Sequence, residues 1–183
     1  SPNEDILESV YAGVHDAGLL QFLRTAWNRW EALGQQGRDP SGFLDSSAPV
    51  PPFAPINSPL PRDSHQPQRS SKHVMGQLGY YCTDTVTPIH SGLLKELQTD
   101  AFILQSVLQH IRHKSDNKTQ AYYLLLANPG HHSARCSFGG YCYVNHAAAL
   151  AKTLGQSIGR TAVLDVDYHA GNGTTSIFYD DPN

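Results

Sequence analysis

Apolar residues recur at three- and four-residue spacing in two stretches of the chain, which predicts two long amphipathic helices. The first runs from Asp16 to Leu33, and the second runs from Thr87 to about His113. Asp16 and Thr87 are suited to N-cap positions, because their side-chain oxygens can accept hydrogen bonds from the first helical N–H groups. A shorter Ala-rich helix is predicted from Asn145 to Leu154, and Gly155 is expected to end it.

Two unbroken apolar runs have the length of strands and the character of strands that are buried on both faces. They cover residues 121–127 and 160–165, and the predicted Ala-rich helix lies between them. A strand–helix–strand order is typical of a parallel sheet with helices on its faces, so the predicted fold class is α/β. In such sheets, ligands bind beyond the carboxyl ends of the strands. A shorter aromatic segment, from Leu78 to Cys82, is consistent with a strand or a tight loop.

The stretch from about residue 34 to residue 75 differs from the rest, because prolines and serines replace the periodic apolar residues. We interpret it as a long loop, since too little chain precedes it to form a separate domain. Disorder is the competing interpretation. The chain, residues 1–183, is therefore predicted to belong to a single domain.

Composition narrows the classes of function. The formal net charge of −3 gives no basic surface, so nucleic acid is not an expected partner. No apolar run approaches the roughly 20 residues needed to cross a bilayer, and the first residues lack the pattern of a signal peptide. The number of cysteines, three, is odd and small, which argues against a disulfide framework and for a reducing compartment. We expect a cytoplasmic protein without a membrane partner.

Acidic and histidine side chains alternate directly after the second apolar run. If the chain stays extended there, Asp165, Asp167 and His169 lie on one side of it. Such a cluster is costly unless a cation or hydrogen bonds satisfy it, and its oxygen and nitrogen donors suit Zn²⁺. A solvated polar loop is the alternative interpretation.

Tandem histidines follow the first apolar run. His131 and His132 lie on a Pro-Gly loop and are suited to proton transfer, because a neutral imidazole accepts a proton near pH 7. Asp165 and Asn172, at the neighbouring strand end, are candidate partners for fixing their tautomers. An exposed loop without chemistry is the alternative, but the two clusters together favour a metallohydrolase.

Three ordered motifs are Pro129-Gly130-His131-His132, residues 138–145 (FGGYCYVN) and residues 163–174 (VLDVDYHAGNGT). Together they closely resemble the core of the histone deacetylase superfamily. Residues 14–16 (VHD) also fit, and residues 79–89 (GYYCTDTVTPI) are most similar to acetylpolyamine amidohydrolases and class II-like bacterial deacetylases. The resemblance implies an arginase-like fold, with one open parallel sheet flanked by helices, and a zinc-dependent hydrolase that removes acetyl groups from acetylpolyamine or acetyl-lysine.

The resemblance also implies roles for the residues of these motifs. Asp167 and His169 would be zinc ligands, and Asp165 would orient His131 and contribute to a structural K⁺ or Na⁺ site. His132, paired with Asn172, would act as general base and acid.

Three further residues would contact the substrate. Gly140 and Tyr141 would line the narrow channel for the acyl-lysine or acyl-polyamine stem. Asp84 resembles an acidic residue at the channel mouth that holds the polar or cationic part of the substrate.

The family's third zinc ligand and its oxyanion donor lie downstream of the motifs found here. We therefore expect the chain to be the N-terminal portion of a deacetylase domain, inactive alone, and we expect the full-length protein to be a homodimer. A non-catalytic interaction module on the same fold is one alternative. An arginase-type ureohydrolase is another, but its metal motif has the order Asp-x-His-x-Asp rather than Asp-x-Asp-x-His. The sequence leaves the acetylated substrate open.

Overall fold

A computed structural model describes residues 6–32, 71–113 and 119–181. These ranges contain six helices: α1 (Ile6–Tyr11), α2 (Ala17–Ala32), α3 (Val74–Tyr81), α4 (Leu93–His113), α5 (His146–Ile158) and α6 (Asn172–Ile177). Most of the predicted proline-rich loop lies outside the described residues. None of the helices in these ranges is long and apolar enough to span a membrane.

The predicted amphipathic helices are present, with two corrections to their limits. Helix α2 matches its prediction to within a residue at each end. Helix α4 begins at Leu93 instead of Thr87, because the Thr87 hydroxyl donates to the Asp84 carboxylate and does not cap the helix. Helix α5 continues through Gly155 to Ile158, and the C-cap is Gly159, whose φ of 112° favours glycine.

Helix α3 covers most of the short aromatic segment for which the sequence predicted a strand or a tight loop. The His73 side chain accepts a hydrogen bond from the Met75 N–H and so caps its N-terminus. Tyr81, at its last position, packs its ring against Phe22 of α2 at a centroid distance of 5.1 Å. Tertiary packing therefore outweighs the preference of aromatic residues for strands.

The core is helical. Helix α4 packs against α1, α2 and α5, and α2 also contacts α3. Leucines supply much of the fully buried volume, and Tyr11 and Phe138 add the largest side chains. The fully buried leucines are Leu7, Leu19, Leu20, Leu93, Leu97 and Leu104.

A buried histidine connects this core to the loop that carries the tandem histidines. His15 Nδ1 lies 2.9 Å from the Ala134 carbonyl oxygen, and His15 Nε2 accepts the Asn145 N–H at 2.8 Å. Since Nε2 is an acceptor, the Nδ1 proton donates to Ala134 and the imidazole is neutral. Burial lowers the pKa of His15 to about 4, consistent with this neutral form.

The predicted parallel sheet is not confirmed in the described residues, which contain no strand and only isolated β-bridges. The two apolar runs are largely exposed, with Leu125 77% and Leu164 87% accessible. Strands are buried only when neighbouring strands pair with them and helices cover both faces. Within the described ranges no strand pairs with either run, so their apolar side chains remain at the surface.

Candidate active site

The two predicted strand ends do meet, although no sheet joins them. The His131 carbonyl oxygen accepts the Gly173 N–H at 3.0 Å and the Thr174 N–H at 3.2 Å. These contacts dock the first turn of α6 on the tandem histidines. A Cβ on Gly173 would overlap the Ser133 carbonyl, so the close approach requires glycine at this position.

Asn145 fixes the same loop from inside. Its side-chain oxygen accepts the Ala148 N–H and caps α5, while Nδ2 donates to the Ser133 carbonyl at 3.1 Å and to Thr174 Oγ1 at 2.9 Å. The sequence predicted a helix start at Asn145 but did not predict its hydrogen bonds to Ser133 and Thr174. The Asn145 side chain is fully buried, so each of its polar atoms needs a hydrogen-bond partner. These partners lie in α5, in the loop of the tandem histidines and in α6.

Each of the tandem histidines has a partner at Nδ1. His131 Nδ1 lies 2.8 Å from Asp165 Oδ2, and His132 Nδ1 lies 2.6 Å from Asn172 Oδ1. Both partners are acceptors, so each Nδ1 carries a proton, and in the neutral imidazole the lone pair lies on Nε2. The two rings are adjacent, with centroids 4.1 Å apart. The structure thus brings together the four residues that the sequence selected for proton transfer.

The two aspartates after the second run are held in their charged form. The Asp167 N–H donates to Asp165 Oδ1 at 3.0 Å, and with His131 it lowers the pKa of Asp165. The His169 N–H donates to Asp167 Oδ1 at 2.7 Å and lowers the pKa of Asp167. Carboxylates are therefore available at this surface near neutral pH.

The side chains of Asp167 and His169, the two predicted zinc ligands, also lie close together. His169 Nδ1 is 3.3 Å from Asp167 Oδ1, and His131 Nε2 is 3.9 Å from the same oxygen. Within the part of the chain that the structure describes, no three His, Cys, Asp or Glu side chains are grouped to hold a metal ion. The pair fits zinc in donor chemistry, but it supplies two of the three protein ligands that a catalytic zinc site uses.

Two consecutive residues in the left-handed region form the wall beside His132. Gly140 has φ of 57° and Tyr141 has φ of 61°. A Cβ on Gly140 would overlap the His132 ring, so this wall and the imidazole are in direct contact. A left-handed conformation costs a non-glycine residue about 1–3 kcal/mol, so other contacts must hold Tyr141 in place. The Tyr141 side chain is exposed.

Asp84 lies behind this wall, with its carboxylate facing protein donors. Oδ1 accepts the N–H groups of Val86 and Thr87, and Oδ2 accepts the Thr87 hydroxyl and the Gly140 N–H. Burial alone would raise the pKa of Asp84, but these hydrogen bonds outweigh it and lower the pKa. Sequence analysis did not select Thr87 as part of the site. The Asp-x-x-Thr spacing, which permits a local side-chain turn, is the signal that could have found it.

The thiol of Cys142 joins the two loops that form the site. It accepts the Gly130 N–H at 3.1 Å and donates to the Gly140 carbonyl at 3.3 Å. Burial raises its pKa, and burial raises the pKa of Cys82 to about 12. Both shifts favour the protonated thiol over the reactive thiolate.

Residues 3–183 match the family described as Histone deacetylase domain. The chain belongs to this family.

Several of the similar proteins are named acetylpolyamine amidohydrolases. The chain is 38% identical to "Acetylpolyamine amidohydrolase" of Mycoplana ramosa, over 98% of the chain and 47% of the relative. It is 36% identical to "Acetylpolyamine amidohydrolase 1" of Pseudomonas aeruginosa, over 91% of the chain and 43% of the relative. The chain thus spans about half the length of the curated relatives it matches.

A solved structure shows the same similarity. The crystal structure of acetylpolyamine aminohydrolase from Burkholderia pseudomallei matches 95% of this chain and 43% of that chain, with a TM-score of 0.65 and 26% identity. Together with family membership, this likeness supports the arginase/deacetylase-like fold that the resemblance implied. The sheet of that fold is not formed in the described residues.

Proposed function

We propose that this chain supplies the proton-transfer loops and two zinc ligands of a hydrolase that removes acetyl groups from acetylated amines. One observation carries the proposal: two adjacent imidazoles, each with Nδ1 bonded to an acceptor, lie beside a carboxylate–imidazole pair. The names of the relatives, acetylpolyamine amidohydrolases, support an acetylated amine as substrate.

The histidines perform the proton transfers in this proposal. His132 takes a proton from water at Nε2 as the water oxygen attacks the acetyl carbonyl carbon. The proton then passes to the amine nitrogen as the C–N bond breaks, and acetate and the free amine leave. Asp165 and Asn172 keep each Nδ1 proton in place, so that Nε2 faces the reaction.

Metal ions complete the proposed site. Asp167 and His169 would hold zinc, which when bound polarises the carbonyl and lowers the pKa of water toward ~7. A K⁺ or Na⁺ at Asp165 is part of the proposal and rests on the family resemblance. The carboxylate of Asp165 is charged, which suits such an ion.

The channel and the whole-protein properties are also proposals. Gly140 and Tyr141 are proposed to flank the acyl stem, because Gly140 contacts His132 and Tyr141 is exposed beside it. The two apolar runs are proposed to become strands of a parallel sheet in a longer product. A cytoplasmic homodimer is proposed for that product, and a monomer in light scattering would contradict the dimer.

A non-catalytic interaction module is the second candidate function. The observation that favours it is the absence, within the described ranges, of a third metal-binding side chain beside Asp167 and His169. An intact pair of tandem histidines with fixed tautomers favours catalysis instead, because a scaffold has no need of them.

Zinc content tests the first proposal directly. Zinc is measured by elemental analysis on the purified chain, on a double variant Asp167→Ala with His169→Ala, and on a control, Asp180→Ala with His113→Ala, which changes the same residue types elsewhere. We expect the chain and the control to retain zinc, up to one ion per chain, and the site variant to lose it. Equal zinc in all three would show that these two residues do not bind it.

Acetate release separates the two candidate functions. This chain and any longer product of the same gene are incubated with an acetylated polyamine, and acetate is quantified. We expect the longer product to be active and the chain alone to be inactive. His132→Ala should lower kcat of the active protein by about 10²–10⁴-fold. A longer product that binds zinc but releases no acetate would support the interaction module.

A further inference from the structure

The hydrogen-bonding capacity of the Asp84 carboxylate is fully used by the protein. It accepts from Val86 N–H at 2.8 Å, from Thr87 N–H and Thr87 Oγ1 at 2.9 Å each, and from Gly140 N–H. A carboxylate offers about four lone-pair sites. A cationic group of the substrate would therefore have to displace an existing bond to reach it.

These bonds extend to the wall of the proposed channel. The Thr87 hydroxyl donates its proton to Asp84 and accepts the Tyr141 N–H at 2.9 Å. Asp84 therefore holds the Gly140 N–H directly and the Tyr141 N–H through one hydroxyl. These are the two residues in the left-handed conformation, and Tyr141 lacks the freedom of glycine.

The base of the same loop is held by other groups. The Phe138 N–H donates to the Tyr81 carbonyl at 2.8 Å, and the Phe138 carbonyl accepts the Thr83 N–H at 2.9 Å. The Cys142 N–H donates to Gly139 at 2.9 Å. Loss of the Asp84 carboxylate would therefore affect the tip of the loop, which is Gly140 and Tyr141, and leave the base of the loop attached.

The tip is the part that touches the proposed catalytic histidine. Gly140 lies against the His132 ring, so closely that a methyl group could not be inserted. On its Nδ1 side, the same ring is fixed by Asn172 at 2.6 Å. Displacement of Gly140 would leave His132 with only one of these two constraints.

We propose that Asp84 is a positioning residue: through Thr87 and Gly140 it holds the left-handed Gly140–Tyr141 turn against His132. It acts on the reaction through that imidazole and not by binding the cationic part of the substrate, which was the role predicted from the sequence. The inference rests on the proposed function only for its kinetic consequences. Its structural consequences are measurable on this chain alone.

Amide hydrogen exchange tests the structural part. Asp84→Asn preserves the shape of the side chain but places an NH₂ where the Gly140 N–H needs an acceptor. We expect exchange at Gly140 and Tyr141 to accelerate at least 10-fold, with Phe138 and Cys142 unchanged. Asp180→Asn, the same substitution at an exposed site, is the control. Unchanged protection at Gly140 and Tyr141 would overturn the proposal.

Thr87 provides an independent variant with a built-in rescue. Thr87→Val removes the hydroxyl that bonds both Asp84 and the Tyr141 N–H, and it should accelerate exchange at Tyr141. Thr87→Ser restores the hydroxyl and should restore protection. Failure of serine to rescue would show that packing of the methyl group, and not the hydrogen bond, holds the turn.

Kinetics on the catalytically active protein distinguish positioning from substrate binding. N-acetylputrescine, which carries a charged amine, is compared with N-acetylbutylamine, which is similar in length but neutral. A positioning role predicts that Asp84→Asn lowers kcat by about 10–100-fold on both amides, because small misplacements of catalytic groups have effects of this size. A rise in KM confined to the charged amide would overturn the proposal.

The two proposals can fail separately. If the longer product, without any substitution, hydrolyses neither amide nor an acetyl-lysine peptide, the proposed deacetylase function fails. Exchange at Gly140 and Tyr141 still decides whether Asp84 holds the turn.

Discussion

The helical core (α1, α2, α4 and α5) and the apolar edge (residues 121–127 and 160–165) contain similar residues in very different surroundings. Leu104 in the core is fully buried, whereas Leu164 at the edge is 87% exposed. Helices satisfy their backbone hydrogen bonds within one segment, so packing alone buries their apolar faces. Strands need neighbours for both hydrogen bonding and burial. Equal hydrophobicity therefore produces burial only where the partners are present.

Truncating one leucine in each region tests this difference and has the largest expected effect. Leu104→Ala should lower the free energy of unfolding by about 2–5 kcal/mol, because it leaves a cavity in the core. Leu164→Ala should change it by no more than about 0.5 kcal/mol. Urea denaturation followed by circular dichroism measures both. A comparable loss in the two variants would mean that the edge is buried in solution.

Adding one methyl group to a glycine in each of two helices tests how much space surrounds α6 and α5. In Gly173→Ala the new Cβ meets the Ser133 carbonyl, so we expect a loss of about 1–3 kcal/mol. Gly155→Ala adds a methyl group to α5 with only Thr161 nearby, and we expect a gain of up to about 1 kcal/mol. The two melting temperatures should shift in opposite directions. A lower melting temperature of the Gly155→Ala variant would show that the space beside this position of α5 is not open.

Acidification should weaken the core through its buried histidines. Burial lowers the pKa of His15 and His146 to about 4 from 6.5, so the folded state keeps both imidazoles neutral while the unfolded chain protonates them. Their stabilisation is complete above pH 6.5 and is lost as the pH falls toward 4, by up to about 1.4 kcal/mol per pH unit for each imidazole. Burial raises the pKa of Asp100, which offsets part of this loss at the acidic end.

Urea denaturation at a series of pH values checks this dependence. His146→Phe should reduce the slope of the free energy of unfolding against pH, between pH 6.5 and 4, by the contribution of one imidazole. This reduction is expected whatever the effect of the substitution on total stability. His113→Gln changes an exposed histidine at the end of α4 and should leave the slope unaltered. A slope that is the same in all three proteins would contradict a neutral, buried His146.

Charges on the apolar edge have the smallest expected effect on stability. Leu125→Asp with Leu164→Asp should change the free energy of unfolding by less than about 1 kcal/mol, because both side chains are exposed. The same variant should reduce self-association, since exposed apolar segments promote it. Sedimentation velocity at several concentrations reports the association. No change there would mean that the edge does not mediate contacts between chains.

The sequence predicted helices well where periodicity was long, and it misjudged features that depend on distant contacts. Helix α2 matches because its apolar face is continuous and the Asp16 carbonyl accepts the Leu19 N–H at its start. The predicted start of α4 was wrong because the Thr87 side chain bonds Asp84 and the Tyr141 N–H, a residue 54 positions away. Periodicity contains no information about such a partner.

In the candidate site, too, some features could be predicted from the sequence and others depend on distant contacts. That Asp165 and Asn172 lie beside the tandem histidines could be anticipated from the order of the two apolar runs, because consecutive strands of a parallel sheet end on one side. The family resemblance alone implied which histidine each of them contacts. The interactions of Asp84 with Gly140 could not be anticipated, since they require the left-handed turn to present an N–H to the carboxylate. The roles that the family resemblance implies for these residues remain predictions.

The buried thiol of Cys142 has a practical consequence. Because it bonds the Gly130 N–H and the Gly140 carbonyl, an alkylating reagent can reach it only after the two site loops separate. Cys136 is more accessible than Cys142 and Cys82, so the three thiols should modify at different rates. Mass-spectrometric counting of alkylated cysteines over time would then measure the rate of local opening, without any substitution in the chain.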